Sequence, residues 1–99
     1  MKEEKNKKEE KLSYRQLERI VRGFSNHRRI EMLELLKKEP ELSVIDVTRK
    51  LGINFKTASE HIRRLAITGL VMKRSEYTSV RHKLTARGEA ILKFLRTLE

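Results

Sequence analysis

Apolar residues recur at helical spacing through most of this chain and give way to two short β-prone runs between residues 70 and 84. Ser13 with Gln16 forms a capping box. Tyr14, Leu17, Ile20, Val21 and Phe24 then mark one face of a predicted first helix, which ends at the turn Gly23-Phe24-Ser25-Asn26. Asn26 caps a second helix whose stripe of Ile30, Leu33 and Leu36 is widened by Met32 and Leu35, and Glu39-Pro40-Glu41 stops it. The β-prone runs are Leu70-Val71-Met72-Lys73-Arg74 and Ser79-Val80-Arg81-His82-Lys83-Leu84, joined by a polar turn. In the second run Val80, His82 and Leu84 alternate with Arg81 and Lys83. One face is therefore expected on the helices while the other shows positive charge. Thr85 caps a last helix, with Ile91, Phe94, Leu95 and Leu98 in one wide stripe and Leu92 at its edge.

Residues 42 to 68 give the most specific pattern, a short capped helix, a glycine turn and a longer basic helix. Ser43 can cap the short helix with Asp46 reaching back, Leu42 and Val47 stand at staple positions, and Gly52 suits a left-handed residue just past its end. Asn54 then caps the longer helix. There Ala58, Ile62, Leu65 and Ala66 share one face, leaving Lys56, Thr57, Ser59, Glu60, Arg63 and Arg64 on or beside the opposite one. This is a helix-turn-helix whose second helix carries the side chains that reading a major groove requires.

Length and charge narrow the function. With 99 residues and 37% hydrophobic content the chain has room for one core, expected over residues 13–99 behind a charged, flexible tail of residues 1–12. Half of the net charge of +10 falls between residues 54 and 85, where seven basic residues meet two acidic ones. Because the excess coincides with the helix-turn-helix, a polyanion is the expected partner, double-stranded DNA first. The absence of cysteine excludes a disulfide framework, a thiolate metal site and a thiol nucleophile. No apolar run is long enough to span a bilayer, so no membrane partner is expected, and the first residues lack a secretory segment; a cytoplasmic location is expected.

The order helix, helix, helix-turn-helix, hairpin, helix resembles a winged helix-turn-helix, and residues 24 to 85 resemble the ArsR family of bacterial and archaeal repressors. Asn26-His27-Arg28-Arg29-Ile30-Glu31-Met32-Leu33-Glu34-Leu35-Leu36 is similar to that family's D-P-T-R-x-x-I-L-x-L-L opening, with His27 in place of proline. Glu41 to Val47 and Leu51-Gly52-Ile53-Asn54 are similar to its E-L-x-V-x-x-L and L-G-x-S turn, and Thr57-Ala58-Ser59-Glu60-His61-Ile62-Arg63-Arg64-Leu65 to T-V-S-x-H-L-x-x-L. Leu84-Thr85-Ala86-Arg87-Gly88 also resembles the L-T-x-x-G of MarR-like and PadR-like winged helices. The resemblance implies a mostly α fold with a three-helix core, a two-stranded wing and flanking terminal helices. It further implies a reading helix in the major groove, a wing near the backbone and a homodimer built by the first and last helices. Metal sensing is not implied: Ser43 stands where metal-sensing members place cysteine, and residues 86 to 98 contain neither aspartate nor histidine.

The candidate DNA contacts are Asn54, Phe55, Lys56, Thr57, Ser59, Glu60, Arg63 and Arg64 on the reading helix and Lys73, Arg74, Tyr77, Arg81 and Lys83 in the wing. Lys56 and Arg63 lead, since cations on the exposed side meet phosphate or the O6 and N7 acceptors of guanine. Phe55 can touch a thymine methyl or act as a partly buried staple. Glu60 can accept from a cytosine amino group, but pairing with Arg64 one turn on is the preferred reading. The candidate dimer interface is Tyr14, Leu17, Val21, Ile91, Phe94, Leu95 and Leu98, because the last stripe exceeds what a terminal helix needs.

His27, His61 and His82 stand on different elements without the spacing of a zinc pair, so no metal or other cofactor is expected, and His61 is read as packed or phosphate-facing. No catalytic motif is present, and a non-enzymatic role follows. The leading expectation is a sequence-specific DNA-binding regulator acting as a dimeric repressor, its effector unknown. The alternatives are a winged-helix module docking on protein or RNA, and an architectural binder with little base preference.

Overall fold

A computed structural model describes residues 11–99; the charged tail expected at residues 1–12 lies outside it except for its last two residues, which carry no regular structure. Among the described residues five helices and a hairpin follow in order: α1 (Tyr14–Phe24), α2 (His27–Lys38), α3 (Val44–Leu51), α4 (Phe55–Ile67), β1 (Val71–Glu76), β2 (Ser79–Leu84) and α5 (Ala86–Arg96).

Each helix begins where a short polar side chain takes up free backbone amides. Ser13 and Gln16 cap α1 reciprocally, and the Asn26 side chain accepts from the amides of Arg28 and Arg29 at 2.9 and 3.2 Å to start α2. Ser43 and Asp46 form the capping box of α3, and that hydrogen bonding holds the Asp46 carboxyl below its ordinary range. The endings are equally local. Pro40 cannot continue α2, and Gly52 closes α3 in the left-handed region at φ 67°, its amide donating to the Thr48 carbonyl at 2.9 Å.

The core is centred on α2. Met32, Leu33 and Leu36 are fully enclosed and meet Val47 of α3, Ala58, Ile62 and Leu65 of α4, and Leu70, Val71 and Leu84 at the base of the hairpin. Here the structure turns the expected stripe: Met32 is at its centre, while Ile30 and Leu35 are only partly buried. Helices α1, α4 and α5 and strand β2 all pack on α2, so its buried arc is wider than one amphipathic face.

Strands β1 and β2 pair antiparallel from Val71 opposite Leu84 to Glu76 opposite Ser79, leaving Tyr77 and Thr78 as the turn. Tyr77 has a φ of 56°, the positive value such tight hairpin turns demand. The predicted alternation along β2 holds only at its base. His82 and Leu84 are buried, but Val80 is 41% exposed and Arg81 is half-buried. The outer half of the hairpin is exposed on both faces, so among the described residues nothing buries its inward side. Arg81 instead donates to the Glu41 carbonyl at 3.0 Å, and Leu42 adds a bridge to His82 that extends the sheet by one residue pair.

Candidate nucleic-acid interface

Helix α4 divides into the two faces its sequence predicts. Ala58, Ile62 and Leu65 are buried, with Ala66 half-buried beside them, and Lys56, Thr57, Glu60, Arg63 and Arg64 are exposed. Helix α3 joins α4 through the Gly52 turn and packs against it. Phe55 is 54% exposed at the first position of α4, so about half of its ring faces outward while the rest is covered, an exposure that both of its expected roles allow. The Asn54 side-chain oxygen accepts from the Thr57 amide at 2.8 Å, which fixes the side chain and leaves its amide nitrogen free to donate to a ligand. Ser59 is half-buried at the margin.

The charges on this surface are not equivalent. Among the described residues Lys56 makes no ion pair, whereas Glu60 holds two guanidiniums: Arg63 Nη2 lies 2.9 Å and Arg64 Nε 3.2 Å from Glu60 Oε2. Glu60 thus pairs as expected with Arg64, and also with Arg63 one residue earlier. The hydrogen bond from Arg63, with Arg64 adding, pulls the Glu60 carboxyl below its ordinary range, and the same bond raises Arg63. Exposed, solvent-screened pairs of this kind hold a guanidinium far more weakly than phosphate or guanine does, so both arginines can be drawn away.

In the wing, Lys73 and Lys83 are exposed and, among the described residues, make no ion pair. Tyr77 stands free at the tip. Arg74 is engaged by Glu41 at 2.7 Å and Glu76 at 3.6 Å, and Arg81 by the Glu41 backbone. The five wing candidates therefore separate into three open side chains and two that brace the hairpin against the α2–α3 turn.

Sequence reasoning missed Arg29, which fixes how α4 sits. Its Nε donates to the Gly23 carbonyl at 2.7 Å, its Nη2 to the Arg22 carbonyl at 3.3 Å, and its Nη1 lies 3.0 Å from Nδ1 of His61. One guanidinium ties the end of α1 to the middle of α4. Burial and then Arg29 lower the His61 pKa, so the ring is the neutral acceptor of that bond, a packed residue. No local signal marks such a contact, because its partners are 32 positions apart.

The apolar residues expected at a dimer interface remain uncovered in one chain. Tyr14, Leu17, Val21, Phe94 and Leu98 are exposed, while Ile91 and Leu95 lean partly on the core. Among the described residues no three metal-ligating side chains converge, and no helix is long and apolar enough to cross a membrane.

This architecture has known counterparts. Residues 25–72 match the family model of winged helix-turn-helix DNA-binding proteins. No curated protein matches the sequence significantly. Among solved structures, a possible transcriptional regulatory protein from Mycobacterium bovis is 30% identical with a TM-score of 0.72, over 84% of this chain and 88% of that one. A homodimeric winged helix-turn-helix DNA-binding domain from the same organism, a possible ArsR-family regulator, is 29% identical with a TM-score of 0.72, over 89% of this chain and 86% of that one. The transcriptional regulator HlyU from Vibrio vulnificus is 26% identical with a TM-score of 0.69, over 99% and 98%. With a relative 30% identical over most of both chains and a shared winged helix-turn-helix fold, this chain belongs to the ArsR-like winged helix-turn-helix family of DNA-binding transcriptional regulators.

Proposed function

We propose that the protein is a sequence-specific repressor that binds double-stranded DNA as a homodimer in the cytoplasm, with residues 13–99 acting as one domain. The observation that carries this reading is the two-faced α4, anchored by Ala58, Ile62 and Leu65 and presenting Lys56, Thr57, Arg63 and Arg64 to solvent. Lys56 and Arg63 read base edges or phosphates, Phe55 meets a thymine methyl, and Lys73, Lys83 and Tyr77 follow the backbone. Asn54, Ser59 and Arg64 flank these contacts, Arg74 and Arg81 support the wing, and Glu60 tunes the two arginines it holds. The homodimer reported for the Mycobacterium bovis domain supports pairing through Tyr14, Leu17, Val21, Ile91, Phe94, Leu95 and Leu98, which sets half-sites about 10 bp or a multiple apart.

Selection from a random duplex pool, followed by fluorescence titration of the enriched sequence, tests the reading. A preference of about a thousandfold or more over random duplex is expected of a specific regulator. Equal affinity for both would leave an architectural binder. A repressor also lowers transcription from a promoter carrying the selected site, and a rise would contradict that role.

A further inference from the structure

Helix α1 carries three faces. Ile20 and Phe24 turn to the core, Tyr14, Leu17 and Val21 form the free apolar stripe, and Arg15, Arg19 and Arg22 form a third face about 130° round the helix from that stripe. Arg19 and Arg22 line a groove of about 260 Å³ whose other wall is Arg63, Arg64 and Ile67 of α4. Its floor is Gly23 against Thr68, where a methyl group on the glycine would lie 2.4 Å from the threonine hydroxyl. The close approach brings the two arginine rows together. Arg15 and Arg22 border the adjoining surface with Arg19 and Glu18.

Five arginines thus meet two acids, Glu18 on Arg22 at 3.4 Å and Glu60 on Arg63 and Arg64. Among the described residues Arg15 and Arg19 make no ion pair. Crowding of positive charge is felt one layer deeper: after burial, the charge of Arg64 is the next cause lowering the pKa of Arg29. Gathering so many cations on one wall repels and stabilises nothing by itself, which fits a surface completed by an anion.

The geometry points to a second phosphate-binding surface in the α1–α4 groove, where Arg15, Arg19 and Arg22 hold the DNA strand that borders the major groove entered by α4. This inference rests on the DNA-binding reading above. The groove shares Arg63 and Arg64 with the reading helix, so the two surfaces are continuous. From Lys56 to Arg63 the helix rises about 10 Å, close to the roughly 12 Å width of the major groove. With the Lys56 end over the bases, the Arg63 end and the arginine face of α1 reach the phosphate rim. The apolar stripe of α1 stands apart from this face, so pairing of two copies leaves it open.

The test compares the wild-type chain, Arg15→Gln/Arg19→Gln and a charge-matched control, Lys38→Gln/Lys93→Gln, whose residues line a different groove between α2 and α5. Each is titrated with the selected operator and with random duplex from 50 to 200 mM salt, and folding is checked by circular dichroism. At about 0.9 of slope per phosphate, the arginine variant should lose about 2 from its log affinity against log salt slope, so the fourfold salt rise weakens it about tenfold less than the wild type. Its ratio of operator to random affinity should stay at the wild-type value, and the control should keep the wild-type slope. A wild-type slope in the arginine variant, or an equal loss in the control, overturns the groove while leaving base reading intact. A wild type without operator preference overturns the reading on which the groove rests.

Discussion

His82 donates from Nδ1 to the carbonyl of Leu42 at 2.8 Å, across 40 positions of sequence, with its ring 1% exposed. Burial, reinforced by the nearby charge of Lys73, holds its pKa below the ordinary value, and His61 is lowered by burial and Arg29. Above about pH 6.5 both rings are neutral folded or unfolded, and pH has no leverage through them. Below it the unfolded chain takes up protons that the folded chain refuses, so stability falls as pH drops from about 6.5 toward the lowered native values. Urea unfolding at pH 7 and pH 5 should show this loss. His82→Asn, whose amide can donate to Leu42 in the same way, should show a shallower pH dependence; an unchanged slope would assign the effect elsewhere.

Arg29 is the only described side chain that hydrogen-bonds both the end of α1 and a side chain of α4. Arg29→Ala leaves two carbonyls and a ring nitrogen without their donor, and should lower stability by about 1–3 kcal/mol in urea unfolding. Arg29→Lys should recover only part of it, since an ammonium cannot span three acceptors in one plane. A loss below about 0.5 kcal/mol for the alanine variant would mean that water replaces the guanidinium without cost.

Two glycines separate close packing from backbone strain. A methyl group on Gly88 would sit 2.2 Å from the Leu70 carbonyl oxygen, so Gly88→Ala must push α5 off the hairpin base and cost about 2–3 kcal/mol. At Gly52 the space is open, and Gly52→Ala costs only the left-handed backbone, about 1 kcal/mol. Thermal melts should place Gly88→Ala at least 10 °C and Gly52→Ala about 5 °C below wild type. The reverse order would contradict the packing described.

Features set within four residues were legible in the sequence. The caps at Ser13, Asn26, Ser43, Asn54 and Thr85 all form as read, because each depends on one side chain and the amides just after it. The exposed faces of α4 followed from spacing alone. What escaped notice depends on distant partners: the bracing of Arg74 and Arg81 by Glu41, the Leu42 bridge and the Arg29 clamp. Val80 shows the limit of alternation, which gives the two faces of a strand but not where the covering helices end. Arg15, Arg19 and Arg22 did carry a signal, four and three residues apart on one face, but it acquires meaning only once α4 is seen beside it.

If the apolar stripes of α1 and α5 pair two copies, Leu17→Asp with Phe94→Asp should convert a dimer to a monomer in light scattering while leaving the circular dichroism spectrum unchanged, since both side chains are exposed in one chain. Operator affinity should fall by more than tenfold with the loss of the second half-site. A wild-type chain that scatters as a monomer, alone and on DNA, would remove the dimer from the account.

The central claim is that the outward face of α4 reads paired bases, and a titration of Lys56→Ala/Arg63→Ala against the selected operator tests it most directly. Losing the Lys56 base contact removes about 1–3 kcal/mol of discrimination and losing the Arg63 phosphate contact weakens binding to every sequence, so the variant should bind the operator at least tenfold more weakly and prefer it less over random duplex, with its thermal stability intact. Wild-type operator affinity and preference in that folded variant would contradict the account.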